Sequence, residues 1–215
     1  MQTIIPRAIE NQMLALQKSN KVILLFGTRR VGKTFLMQSL VKKMDGDYLL
    51  INGEDLEVQE IFQRRTVANL KNITGNIRTL IIDEAQAIPE VGKAMKLMVD
   101  TQSELTIYAT GSSALDLLNQ SGEPLTGRLH SFHLYPIAQL ELGQTLIEAR
   151  QSLDDRLVYG SYPEIFQLTD NNSKSAYLGQ LIQSYLLKDI LSFSGIRLSD
   201  KILSLLRLIA YQTGS

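Results

Sequence analysis

The chain contains no cysteine, so disulfides, thiolate catalysis and cysteine-ligated zinc have no place in it. Histidine is scarce as well, with only His130 and His133. Their i, i+3 spacing would suit a metal on a helix, but Leu129, Phe132 and Leu134 around them read as a strand. A surface or core role therefore outweighs a metal role. Neither sign of charge is in excess: 22 Lys plus Arg balance 22 Asp plus Glu, which removes any bulk pull toward nucleic acid or an anionic membrane. Long hydrophobic runs are missing too. Apolar stretches such as Val22–Phe26 are far too short to cross a bilayer, and residues 1–10 lack the basic start and apolar run of a secretory signal. The expectation is a cytoplasmic protein with no membrane association.

What is present is an ordinary globular composition, 44% hydrophobic and 20% charged over 215 residues, enough for one sizeable α/β core plus a smaller appended unit. Ile5, Ile9, Met13 and Leu16 recur at helical spacing. Val22–Phe26 reads as a buried parallel strand, followed by a turn and a helix over 34–44 with Phe35, Leu36, Leu40, Val41 and Met44 on one side. Further strands are expected at 48–51, 79–82, 105–109 and 129–134, with helices between them around Val58–Phe62 and over 91–99. Strands alternating with helical segments predict an α/β fold of three layers, a mostly parallel five-stranded sheet covered on both faces. From about Pro136 the strand signal fades into helical segments over 175–191 and 199–211. The expected division is a larger α/β domain over 1–135 and a smaller helical segment over 136–215. The last helix, with Leu205, Leu206, Leu208 and Ile209, is apolar nearly all round. It either sits in a small bundle or packs against something beyond Ser215, as it would in a truncated chain, or against a partner.

Gly27-Thr28-Arg29-Arg30-Val31-Gly32-Lys33-Thr34 fits G-x-x-x-x-G-K-[ST] throughout, and Phe35 follows in the helix. The pattern has a physical purpose. Glycines let the backbone turn tightly with its N–H groups toward phosphates, and the helix that starts there adds its positive dipole end. Lys33 can reach the β- and γ-phosphates, and the Thr34 hydroxyl can join Mg²⁺. The motif follows an apolar strand and opens a helix, which is the context it requires. The nucleotide is expected to line residues 27–35.

Fifty positions after Lys33 (83 − 33), the strand at 79–82 ends in Asp83-Glu84. Strand-end acids often only cap a helix. After a phosphate loop, however, Asp83 is the expected Mg²⁺ partner and Glu84 the group that orients the attacking water. Thr110, in Thr110-Gly111-Ser112-Ser113, is the first candidate to touch the γ-phosphate or that water, and Ser112 the second. Capping of a helix from Ala114 by Ser112 or Ser113 is an equal alternative. Arg128, beside Gly127, could offset transition-state charge in cis or from a neighbouring subunit, or be an ordinary surface arginine. Arg29 and Arg30 carry no catalytic assignment. The guanine-reading N-K-x-D string is lacking, since Asn20-Lys21-Val22-Ile23 has no Asp, and this favours adenine. ATP with Mg²⁺ is thus the expected ligand pair.

Several segments together resemble a family of predicted bacterial and archaeal ATPases in the AAA+ superfamily. They are the phosphate loop, D-E-A-Q ending in Gln86, T-G-S-S at Thr110, and Gly127-Arg128. Thr28 and Arg30 stand where that family commonly has proline and glutamine. Downstream, Tyr159-Gly160-Ser161-Tyr162-Pro163-Glu164 resembles its G-G-Y-P-E segment, and Tyr185-Leu186-Leu187-Lys188-Asp189-Ile190 its helix ending in K-D-I. The resemblance implies an ATPase, assembly into a homo-oligomer, and further C-terminal segments beyond residue 215. It does not specify a protein or DNA partner. A switch that binds ATP with little turnover and docks DNA or protein is the main alternative, and a small-molecule kinase is disfavoured by the Asp83-Glu84 pair.

Overall fold

Val22–Phe26, Thr79–Asp83 and Thr106–Gly111 bury almost every side chain they carry, so each needs cover on both faces. A parallel sheet between helical layers supplies that cover. In the computed structural model, which describes residues 5–112, 125–186 and 199–212, these strands are β1, β3 and β4 of a five-stranded sheet. β2 is Tyr48–Asn52 and β5 is Leu129–His133. The order is β2-β3-β4-β1-β5, and every pairing is parallel. Asn52 is level with Asp83, and Phe26 with both Gly111 and His133, so the C-terminal strand ends share one edge.

The helices follow local signals. Helix α1 is Glu10–Leu14, shorter than the apolar period from Ile5 suggests, and α2 is Lys33–Val41. Helix α3, Leu56–Gln63, begins where the Asp55 carboxylate accepts the Glu57 N–H; α4, Val67–Thr74, begins where the Thr66 hydroxyl accepts the Asn69 N–H. Helix α5 is Val91–Thr101. One core layer joins Leu24, Leu80, Ile82, Ile107 and Ala109 to α5 through Met95 and Met98. The other joins Ile23, Leu25, Ile81 and Tyr108 to α1 and α2 through Met13, Leu36 and Leu40. The Tyr108 hydroxyl donates to the Met13 carbonyl at 2.9 Å, and burial raises its pKa well above the usual phenol range.

The chain divides into two compact units at Ala149 and Arg150, beyond the expected break after residue 135. The first unit includes Glu141, in the short 3₁₀ turn Gln139–Leu142. Its carboxylate accepts from the backbone N–H groups of Ala8 (2.8 Å) and Ala138 (2.9 Å) and from Arg7 Nε (3.1 Å), which ties this stretch to the chain's beginning. Burial alone would push the Glu141 carboxyl up, but those three donors outweigh it and hold its pKa below the usual range.

The second unit, Arg150–Ser215, contains α7 (Leu153–Tyr159), α8 (Asn171–Leu181) and α9 (Ser199–Gln212); α6 (Leu146–Gln151) leads into it. Within it, Lys174 is buried against Asp155 at 2.7 Å, with its ammonium 5.3 Å from the centre of the Tyr159 ring. In α9, Leu205, Leu208, Ile209 and Tyr211 are exposed. No helix among the described residues is long and apolar enough to cross a membrane. Ser113, Ala114 and the K-D-I end at 188–190 lie outside the described residues.

Candidate functional site

Lys33 sits at the first position of α2, immediately after a loop that leaves β1 at the shared strand edge. The loop winds through two left-handed residues, Arg30 (φ 60°) and Gly32 (φ 99°). Gly27 is needed for a different reason: a Cβ there would stand 2.4 Å from the Leu134 carbonyl oxygen, where the chain leaves β5. Thr28, Arg29, Arg30, Thr34 and Phe35 face solvent, while Val31 is buried beneath the loop. The N–H groups that begin α2 have no intrahelical acceptors, and the helix dipole is positive there. The arrangement is suited to an anion.

Lys33 is only 5% exposed, and its ammonium donates to the carbonyls of Gly27 at 2.9 Å and Thr28 at 3.2 Å. Burial brings its pKa below the ordinary lysine range; the Glu84 and Asp83 carboxylates oppose this, and Arg29 adds to it. A phosphate would supply the counter-charge that the carbonyls lack.

Asp83 ends β3, and both of its oxygens are engaged. Oδ2 accepts the Thr34 hydroxyl at 2.8 Å, and Oδ1 accepts the Thr110 hydroxyl. The same Thr110 oxygen accepts the Glu84 backbone N–H at 2.9 Å. Thr110 therefore bridges the two acids from below and is fully buried. The sequence expectation placed this hydroxyl at the γ-phosphate or the attacking water; here it is bonded to Asp83 and accepts from Glu84. The residue stays within β4, paired with Leu25, one position past the strand end expected at residue 109, and its one donor goes to Asp83. Glu84 has a left-handed backbone (φ 50°), and its Oε2 accepts the Gln86 amide N–H at 2.5 Å.

The Thr34 hydroxyl and the Asp83 carboxylate offer two hard oxygen donors 2.8 Å apart, the kind that Mg²⁺ takes alongside phosphate oxygens and water. Among the described residues there is no cluster of three or more His, Asp or Glu, so a site for Mg²⁺ would depend on the nucleotide's own oxygens.

Arg128 is not brought to this edge. It precedes β5, at the entry end of the sheet, where its carbonyl accepts the Val22 N–H at 2.8 Å and its guanidinium pairs with Asp100 of α5. Five strand residues, about 16 Å at ~3.3 Å each, separate that end from the phosphate loop. Ser112 follows β4 and is half-buried.

Two residues at the site had no sequence assignment. Gly53, after β2, donates its N–H to the Asp83 carbonyl at 2.7 Å, and a Cβ on it would stand 2.4 Å from the Glu84 carbonyl oxygen. The signal available was a glycine directly after a strand that ends at the ligand edge. Gly53→Ala is expected to displace the Glu84 backbone. Turnover of any nucleoside triphosphate should fall about ten-fold or more, with nucleotide affinity little changed; steady-state and binding measurements on one preparation check this. Arg7 is the second such residue, and the phosphate loop's Val31 carbonyl accepts from it at 3.0 Å.

Fold and site together define a P-loop ATPase fold of the AAA type. Residues 19–143 match the family model described as an AAA domain, and the chain belongs to that family. Residues 150–215 match a domain of unknown function. An uncharacterized protein of Methanocaldococcus jannaschii is 28% identical over 210 residues; the match covers 90% of this chain and 46% of that protein, so the chain spans about half the relative's length. Among solved structures, a Walker-type ATPase of Pyrococcus abyssi superposes with a TM-score of 0.58 at 17% identity, covering 87% of this chain and 75% of that one. The replication initiator DnaA, bound to AMPPCP and single-stranded DNA, gives 0.51 at 14% identity, covering 88% and 70%. At these identities the two structures establish the fold alone.

Proposed function

We propose that the chain binds ATP with Mg²⁺ and hydrolyses it to ADP and phosphate, using the reaction to drive a conformational change. The observation that carries the reading is the convergence of Lys33, Thr34, Asp83 and Glu84 on one sheet edge, with Thr110 bonded to both acids. Residues 27–35 would surround the phosphates, and Lys33 would exchange two carbonyls for β- and γ-phosphate oxygens. Thr34 and Asp83 would hold Mg²⁺, which when bound screens phosphate charge and fixes the phosphate geometry. Glu84 would accept a proton from the attacking water, and Thr110 acts as a positioning residue beneath the pair.

The test is Mg²⁺-dependent release of phosphate from ATP by the purified chain. A protein that binds ATP tightly and releases none would overturn hydrolysis by this chain alone. The placement of Arg128 favours a second reading, an ATP-dependent switch that docks DNA or protein with little turnover. Charge compensation would then await a neighbouring subunit, whose Arg128 would have to leave Asp100 to provide it. DNA retardation that is equal with and without ATP would remove a DNA-directed switch. Self-association and a cytoplasmic setting complete the proposal.

A further inference from the structure

Arg7 takes no part in the chemistry above and lies outside the residues matched as the AAA domain, yet it is built into the site. Its side chain is 7% exposed and that of its partner Glu141 is 6% exposed. All three guanidinium nitrogens are used: Nε donates to Glu141 Oε1 at 3.1 Å, Nη1 to the Val31 carbonyl at 3.0 Å, and Nη2 to the Tyr135 carbonyl at 2.5 Å. Glu141 is in turn fixed by the N–H groups of Ala8 and Ala138. A buried arginine needs such pairing, and the planar fork sets the direction of each bond.

The Val31 carbonyl is the informative partner. It shares one peptide unit with the N–H of Gly32, and in a trans peptide the two point in opposite directions. An arginine that grips the carbonyl on the protein side therefore turns the Gly32 N–H the other way, at the loop position that caps α2. There an N–H without an intrahelical acceptor can meet a phosphate oxygen. We propose that Arg7 is a positioning residue of the phosphate site. It pre-orients the Val31–Gly32 peptide toward the nucleotide's phosphates, and Glu141 with the Tyr135 carbonyl holds the guanidinium in place. The proposal rests on the nucleotide-binding reading of residues 27–34.

The experiment is calorimetric titration of ADP and, separately, of inorganic pyrophosphate into wild type, Arg7→Met and Arg7→Lys, with thermal melting of each. Arg7→Met should weaken both ligands by a common factor of about ten, because only phosphate contacts are touched. Arg7→Lys, which keeps the charge without the fork, should fall between. In turnover, KM for ATP should rise while kcat at saturation stays near wild type. A lower melting point with unchanged ADP and pyrophosphate affinity would overturn the proposal and leave Arg7 a purely structural residue. If Arg7→Met does not fold, Glu141→Gln decides, since it loosens the same grip: two- to three-fold weaker binding of both ligands, about the worth of a fraction of one hydrogen bond, sustains the proposal, and unchanged binding overturns it. A wild type that binds neither ligand would defeat the nucleotide reading itself, whereas wild-type binding matched by the Arg7 variants defeats only this role.

Discussion

Glu84→Gln is expected to keep ATP bound at near wild-type affinity while turnover falls by about 10²–10⁴, the usual contribution of a general base. The amide keeps the shape of the carboxylate but cannot take the proton of water. Little else should change, because the backbone N–H of Glu84 still donates to Thr110, and the Gln86 amide still finds a side-chain oxygen. Single-turnover phosphate release beside calorimetric binding separates the outcomes. Unchanged turnover would remove Glu84 from the base role, and lost binding would mean that the acid pair matters to the ground state instead.

Lys33→Ala should weaken ATP binding by about 100-fold or more, as expected when a buried charged donor to phosphate is lost. The melting temperature should move far less. The substitution leaves the Gly27 and Thr28 carbonyls without their donor but also removes the cost of burying an ammonium, and these effects oppose one another. The same lysine predicts a pH dependence. Its pKa lies below the ordinary lysine range, so the free protein loses that positive charge earlier as pH rises. Phosphate binding favours the charged form. ATP affinity should therefore decline into the alkaline range, and binding there should take up protons. Calorimetry in two buffers of different ionisation heat measures that uptake. Its absence in wild type, or its persistence in Lys33→Ala, would exclude Lys33 as the source.

The candidate chemistry was legible in the sequence wherever it is encoded locally. A strand, a glycine-bounded turn and a helix over residues 22–41 identify the phosphate loop, because the motif and its supporting elements are consecutive. Asp83-Glu84 was legible for the same reason, as two acids at the end of an apolar strand. A mostly parallel sheet followed from alternating strand and helix patterns, and the structure makes every pairing parallel.

Strand order and register decided the rest. Thr110 lies beneath Asp83 and Glu84 because β4 is the neighbour of β3, and a polar residue after an apolar run cannot reveal which hydroxyl will be buried. Arg128 falls at the entry edge because β5 starts after it and runs parallel to β1. Its adjacency to a glycine carried no information about which end of the sheet it would occupy. Gly53 matters through a backbone approach to Glu84, 31 positions away (84 − 53), and the Arg7 grip depends on Glu141, 134 positions along the chain. The sequence by itself therefore determined the fold class, the glycine-bounded loop over residues 27–34 and the acidic pair at a strand end, which arise from periodicity and short spacing. Only the tertiary structure determined which side chains support them, because parallel strands joined by crossovers bring together residues whose separation in sequence has no fixed period.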